Sequence, residues 1–93
     1  MEVEHVPGRK AAQAMLYALS TCPWCNKTKR LLGELGVEYS YIDVDELDGA
    51  EKEKVMTEVR KWNPACSFPT LVLDDKRCIV GFKEDEIRKA FPK

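Results

Sequence analysis

The sequence predicts an α/β fold, a four-stranded mixed sheet flanked by helices in the order β-α-β-α-β-β-α. Three observations carry that expectation. Short apolar or alternating runs, each of strand length, take turns with segments whose apolar residues recur at helical spacing. The two runs nearest the carboxyl end are joined by a tight turn, Asp74-Asp75-Lys76, and so pair antiparallel, whereas the first two are separated by a helix and pair in parallel through a right-handed crossover. A chain of 93 residues builds one domain with one core.

Met1 to Lys10 carries Pro7, Gly8 and no sustained period, so residues 1–10 are expected to be an N-terminal arm or a short edge strand and 11–93 the domain proper. His5 in this arm reads as a solvated side chain, with no second metal ligand beside it. Met15 to Leu19 is the first strand, stopped by Ser20 and Thr21. A helix follows from Pro23 through Leu31, Leu32 and Leu35 to Gly36, a residue suited to the left-handed C-terminal position. Tyr39 to Val44 alternates as a second strand, and Asp45 to Gly49 turns the chain. Glu51 to Trp62 places Val55, Met56, Val59 and Trp62 on one helical stripe with Lys and Glu opposite, and Trp62 is expected in the core. Asn63 and Pro64 end this helix, because the residue before a proline is pushed out of helical geometry. Thr70 to Leu73 and Cys78 to Val80 are the third and fourth strands. Glu84, Asp85 and Glu86 then bring negative charge to the first turn of a last helix with an apolar face of Ile87, Ala90 and Phe91.

The chemistry concentrates in Thr21-Cys22-Pro23-Trp24-Cys25, where the first strand gives way to the first helix. Pro23 fits the first helical position, so Cys22 falls at the cap and Cys25 one turn inside. At the cap, unpaired N–H groups and the positive end of the macrodipole favour an anion, which makes Cys22 the expected nucleophile. Cys25 shares the inward stripe with Thr28, Leu32 and Leu35 and should be shielded, reacting second. Such an asymmetric pair suits thiol–disulfide exchange. Trp24 is expected on an exposed flank, offering a flat apolar ring to a partner.

Charge and composition narrow the partners. A net charge of −1 with both signs interspersed points to neither nucleic acid nor an anionic membrane surface. The longest apolar run, Ala14 to Leu19, is too short to span a bilayer, and the acidic start Met1-Glu2-Val3-Glu4 lacks the basic and apolar regions of a signal peptide. A soluble, cytoplasmic monomer with reduced thiols is the expectation. Cys66 and Cys78 read as small apolar filler, with Cys66 also a candidate for a partly exposed thiol near the active edge.

With strand, Cys-Pro-Trp-Cys and helix in that order, and Phe68-Pro69-Thr70 before the third strand, the chain resembles the glutaredoxin branch of the thioredoxin fold from about Ala14 to Phe91. The resemblance implies a dithiol–disulfide oxidoreductase with Cys22 and Cys25 catalytic and Pro23 and Trp24 shaping the turn. It implies that Pro69 is a cis-proline packed on the cysteine pair, and that the backbone at Phe68 pairs with an extended substrate or with glutathione, an adaptation of strand addition. Disulfide-containing proteins are the implied substrates. No bound cofactor or metal is expected, and glutathione is the implied reducing co-substrate.

Two departures from the family pattern open an alternative. Glutathione-dependent members generally carry lysine three residues before the first cysteine, where this chain has Leu19. After the fourth strand they tend to read Gly-Gly, a small residue and two aspartates, where this chain reads Gly81-Phe82-Lys83-Glu84-Asp85. That ending is similar to the glutaredoxin-like redoxins that serve ribonucleotide reductase and are recycled by a thioredoxin-reductase-type flavoprotein. Lys27, Arg30, Lys61 or Lys83 could still meet a carboxylate, so Gly81, Phe82, Lys83 and Lys27 join Phe68 and Pro69 as candidate substrate or glutathione contacts. The competing class is a zinc or iron-sulfur binding module built on the four cysteines. The proline inside the motif speaks against a cluster, because cluster-binding members of the family usually lack it.

Overall fold

The computed structural model describes residues 3–92. Met1 and Glu2 of the arm and Lys93 of the domain lie outside the described residues. The elements are strands β1 (Glu4–Val6) and β2 (Ala14–Ala18), helix α1 (Pro23–Leu35), strand β3 (Tyr39–Asp43), helix α2 (Gly49–Trp62), strands β4 (Thr70–Leu73) and β5 (Arg77–Val80), and helix α3 (Glu84–Ala90). They build one mixed sheet in the order β1-β3-β2-β4-β5.

The strand count corrects the expectation of four. Glu4, His5 and Val6 pair antiparallel with Tyr41, Ser40 and Tyr39, closing the open edge of β3. Three residues are too few to show a strand period in sequence, and they become a strand only because β3 offers unpaired backbone groups. The rest of the arm is tied down as well. Arg9 N–H donates to Gly36 O at 2.7 Å and Arg9 O accepts from Glu38 N–H at 2.9 Å, so the arm lies against the turn between α1 and β3.

The remaining topology follows the sequence. β2 runs parallel to β3 and antiparallel to β4, and β4 pairs antiparallel with β5. Asp74 and Asp75, at φ 54° and 52°, give the hairpin the twist that matches its strands. Some boundaries move: β2 runs Ala14–Ala18 rather than Met15 to Leu19, β5 starts at Arg77 rather than Cys78, and β3 stops at Asp43, because Val44 enters a 3-10 turn spanning Val44–Glu46 and drops into the core beside α2. Helix α2 accordingly starts two residues before the expected Glu51.

The single core expected from the chain length is divided by the sheet into two clusters, one on each face. On one face Leu16, Tyr39, Leu71 and Leu73 pack with Cys25, Leu31 and Leu32 of α1 and Ile87 of α3. On the other, Tyr17, Ile42 and Val72 pack with Val55 and Val59 of α2, and the half-buried Trp62 closes over this cluster. Among the described residues no helix is long and apolar enough to cross a membrane.

Candidate functional site

Strand direction assembles the site at one end of the sheet. β2 and the parallel β3 both end there, Thr70 opens β4 opposite Tyr17, and Val80 closes β5 opposite Thr70. The turn carrying Cys22, the Phe68–Pro69 bond and the Gly81-Phe82 segment therefore converge on one edge, the carboxyl end of the central parallel strands. Gly81 N–H donates to Pro69 O at 2.9 Å and fixes two of these segments together. The Phe68–Pro69 peptide is cis.

Cys22 caps α1. Its backbone is extended (φ −85°, ψ 116°), Pro23 stands at the first helical position, and its Sγ accepts the Cys25 backbone N–H at 3.2 Å. A serine or aspartate at a cap receives the same bond through oxygen; here the acceptor is sulfur. Cys22 is half-buried and Cys25 is fully buried among Leu31, Leu32 and their neighbours. Burial first, and then its thiol hydrogen-bonding to Cys22, push the Cys25 thiol up to about 12. The two sulfurs, one turn apart, thus occupy opposite environments, and both are free thiols in this structure.

The flank of the motif is aromatic and open. Trp24 is 55% exposed, stacks on Phe82 at 6.1 Å between ring centroids, and carries the Lys27 ammonium 4.5 Å from its own centroid. Of the candidate contacts, Trp24, Lys27, Gly81, Phe82, Phe68 and Pro69 belong to this edge. Lys83 is engaged elsewhere, 3.7 Å from Glu86 on its own helix, and Lys61 pairs with Glu58 at 3.1 Å on α2. Leu19, at the position where family members carry lysine, packs its side chain against the α2 core. Cys66 sits in the loop before Phe68 with φ 54°, and the Cys78 thiol donates to Trp62 O at 3.2 Å. Among the described residues no three His, Cys, Asp or Glu side chains gather in a group that could hold a metal ion.

Three supports of the site are absent from the sequence reading. Asn63, buried at the end of α2, donates through Nδ2 to Ser67 O and Ser67 Oγ at 3.0 Å and to Thr70 Oγ1 at 3.2 Å, while its Oδ1 accepts from Ala65 N–H at 3.2 Å. Thr70 Oγ1 donates in turn to Ser67 O at 2.8 Å, so a small polar lattice brackets Phe68 and Pro69. Asp45 accepts from Ser20 N–H at 2.8 Å and from Ser20 Oγ at 2.5 Å, two residues before Cys22, and these bonds hold its carboxyl below the usual range. Lys29, one turn beyond Cys25 on α1, meets Asp43 at 2.9 Å and lies 4.2 Å from the Tyr41 ring centroid. The helical spacing of Lys29 from Cys25 was visible in the sequence; nothing there marked its partner on β3.

The geometry agrees with the known proteins this chain is similar to. A family model described as Glutaredoxin matches residues 14–78. An uncharacterized glutaredoxin-like 8.6 kDa protein in the rubredoxin operon of Clostridium pasteurianum is 32% identical over 78 residues, which is 84% of this chain and 96% of that protein. Among solved structures, the glutaredoxin from Methanosarcina mazei Go1 superposes with a TM-score of 0.90 at 47% identity, covering 100% of this chain and 90% of the other. Methanoredoxin from Methanosarcina acetivorans gives 0.89 at 46% identity over 92% of this chain and 90% of its own.

Proposed function

The chain belongs to the glutaredoxin family, and from that premise we propose that it is a dithiol–disulfide oxidoreductase in which Cys22 attacks and Cys25 resolves. The observation that carries the reading is the contrast between the sulfurs: Cys22 at the helix cap receives an N–H bond at 3.2 Å, and Cys25 is buried and stays protonated until about pH 12. Cys22 Sγ, as the thiolate, attacks one sulfur of a substrate disulfide and forms a mixed disulfide while the other sulfur leaves as a thiolate. The Cys25 thiol gives up its proton and attacks Cys22 Sγ. The Cys22–Cys25 disulfide forms, the Cys22–substrate bond breaks, and the released thiolates take up the two protons. The substrate is reduced by two electrons and the protein is oxidised by the same two.

The edge described above supports disulfide-bearing proteins as substrates. Backbone at Phe68, before the cis bond to Pro69, is where an extended chain would pair, and the exposed Trp24 beside Phe82 offers an apolar contact sequence-tolerant enough for several partners. Glutathione is the first reductant to consider from the family. A second reading, recycling by a thioredoxin-reductase-type flavoprotein in the service of a partner such as ribonucleotide reductase, is favoured by two observations. Leu19 packs inward where a lysine would meet a carboxylate, and the segment after β5 reads Gly81-Phe82-Lys83, with Phe82 stacked on Trp24.

The test runs the oxidised protein in two parallel reactions, excess glutathione alone and NADPH with a thioredoxin reductase, and follows recovery of thiols. Recovery in glutathione supports the first reading and recovery only with the flavoprotein supports the second. In the same assay Cys22→Ser is expected to abolish disulfide reduction; full turnover in that variant would overturn the assignment of the nucleophile.

A further inference from the structure

The resolving step poses a physical difficulty that the cysteine pair does not answer by itself. A fully buried thiol must become a thiolate in an apolar surrounding of leucines and tyrosines, where charge is poorly solvated. A fixed positive charge nearby is the usual remedy. Among the described residues every lysine and arginine is exposed except Lys29, whose side chain keeps 20% of its surface. It lies four residues beyond Cys25 on α1, the spacing that brings two side chains onto one helix face. Its ammonium is held on two sides, by Asp43 Oδ1 at 2.9 Å and by the face of Tyr41 at 4.2 Å. Asp43 ends β3 opposite Ala18, the last residue of β2 before the catalytic turn. The clasp therefore joins the helix of Cys25 to the strand beside its loop.

We propose that Lys29, held in place by Asp43, is a positioning residue for the resolving step, presenting a fixed positive charge to Cys25 as it becomes the attacking thiolate. The proposal rests on the reading of Cys25 as the resolving thiol. Exposed Lys27 and Arg30 on the same helix do not substitute for Lys29, because water screens them. The groups around the buried sulfur divide the work: burial and then Cys22 hold its proton on, while a backbone hydrogen bond at Leu19 and, after it, the Lys29 ammonium act in the opposite sense, favouring the thiolate.

The steps separate in one trace with the aromatic disulfide dithionitrobenzoate, using full-length protein in which Cys66→Ser and Cys78→Ser remove the other thiols. Attack by Cys22 releases a first thionitrobenzoate at a rate proportional to reagent. Attack by Cys25 on the mixed disulfide releases a second at a rate independent of it. Lys29→Met is expected to slow the second release about threefold, the smaller thiolate fraction being offset in part by the greater nucleophilicity of a more basic thiolate, and to leave the first unchanged within error. Lys29→Arg should restore most of the loss, and Asp43→Asn should slow the second release to a lesser degree. An unchanged second release in Lys29→Met overturns the proposal. So does equal slowing of both releases in Lys29→Met and Asp43→Asn, which marks a merely structural role. A second release that persists in Cys25→Ser sinks the reading of Cys25 itself, a failure distinct from that of Lys29.

Discussion

Burial of the Cys25 thiol has a consequence for stability that can be worked through in numbers. The folded chain holds this proton up to about pH 12, against a reference value of 9.0 for an unperturbed thiol. A folded value raised above the unfolded one leaves stability intact below pH 9 and removes it as pH climbs from 9 towards 12, because the unfolded chain ionises first. Between pH 8 and 10.5 the unfolded thiol gains about 2 kcal/mol from ionisation that the folded one forgoes. Tyr17 and Tyr39, also raised by burial, act in the same direction at higher pH and are common to the comparison. The measurement is guanidinium unfolding of the reduced protein and of reduced Cys25→Ala at pH 8, 9, 10 and 10.5. The variant starts less stable by its cavity, so the slope with pH is the readout. The reduced protein is expected to lose about 2 kcal/mol more than Cys25→Ala across this range. Parallel slopes would refute the claim that Cys25 is held protonated by burial.

Other expectations concern the supports of the site. Thr70→Val, equal in size but without Oγ1, removes one of the two donors to Ser67 O and one of the three acceptors around Asn63 Nδ2, and should cost about 1 kcal/mol by chemical denaturation while raising the KM for a disulfide-bearing peptide. Thr70→Ser should recover much of both. Gly8→Ala would set a Cβ 2.7 Å from the Val37 carbonyl carbon, backbone that cannot swing aside, so the arm must shift; a loss of about 1–3 kcal/mol is expected, seen as a lower Tm. A Tm unchanged to within a degree would mean that the arm is not held against Val37. Asp45, depressed by its bonds to Ser20, contributes stability above its ordinary value that is lost as pH falls through the lowered folded value. Asp45→Asn should therefore flatten the acid limb of the stability profile, and an identical limb would dismiss the clasp.

What the sequence shows and what it conceals divides by the range of the interactions. Cys22 at the cap, Cys25 inside, the helix end at Gly36 and the hairpin at Asp74-Asp75 are settled within four or five neighbouring residues, and each was readable from residue type and spacing. Pro69 was singled out through its place before a strand, which the resemblance made meaningful. Strand β1 read only as an arm or a short edge strand, because three residues of mixed polarity show no period until β3 supplies a partner. Asn63 read only as the residue that ends α2; its four bonds reach up to seven residues along the chain and depend on how the loop folds back. Lys29 and Asp43 lie fourteen residues apart, and only the packing of α1 against β3 joins them.

The dithiol mechanism is tested most directly by trapping its intermediate. Cys25→Ser is mixed with a small disulfide-containing peptide, quenched with acid, and digested without reductant, and the site carrying the peptide is read by mass spectrometry. The expected result is one peptide per chain, linked at Cys22 and stable in the absence of added thiol, while the unsubstituted protein ends with a Cys22–Cys25 disulfide and no bound peptide. A peptide found on Cys66 or Cys78, or a Cys25→Ser variant that releases its peptide as fast as the unsubstituted protein, would contradict the assignment of attack to Cys22 and resolution to Cys25.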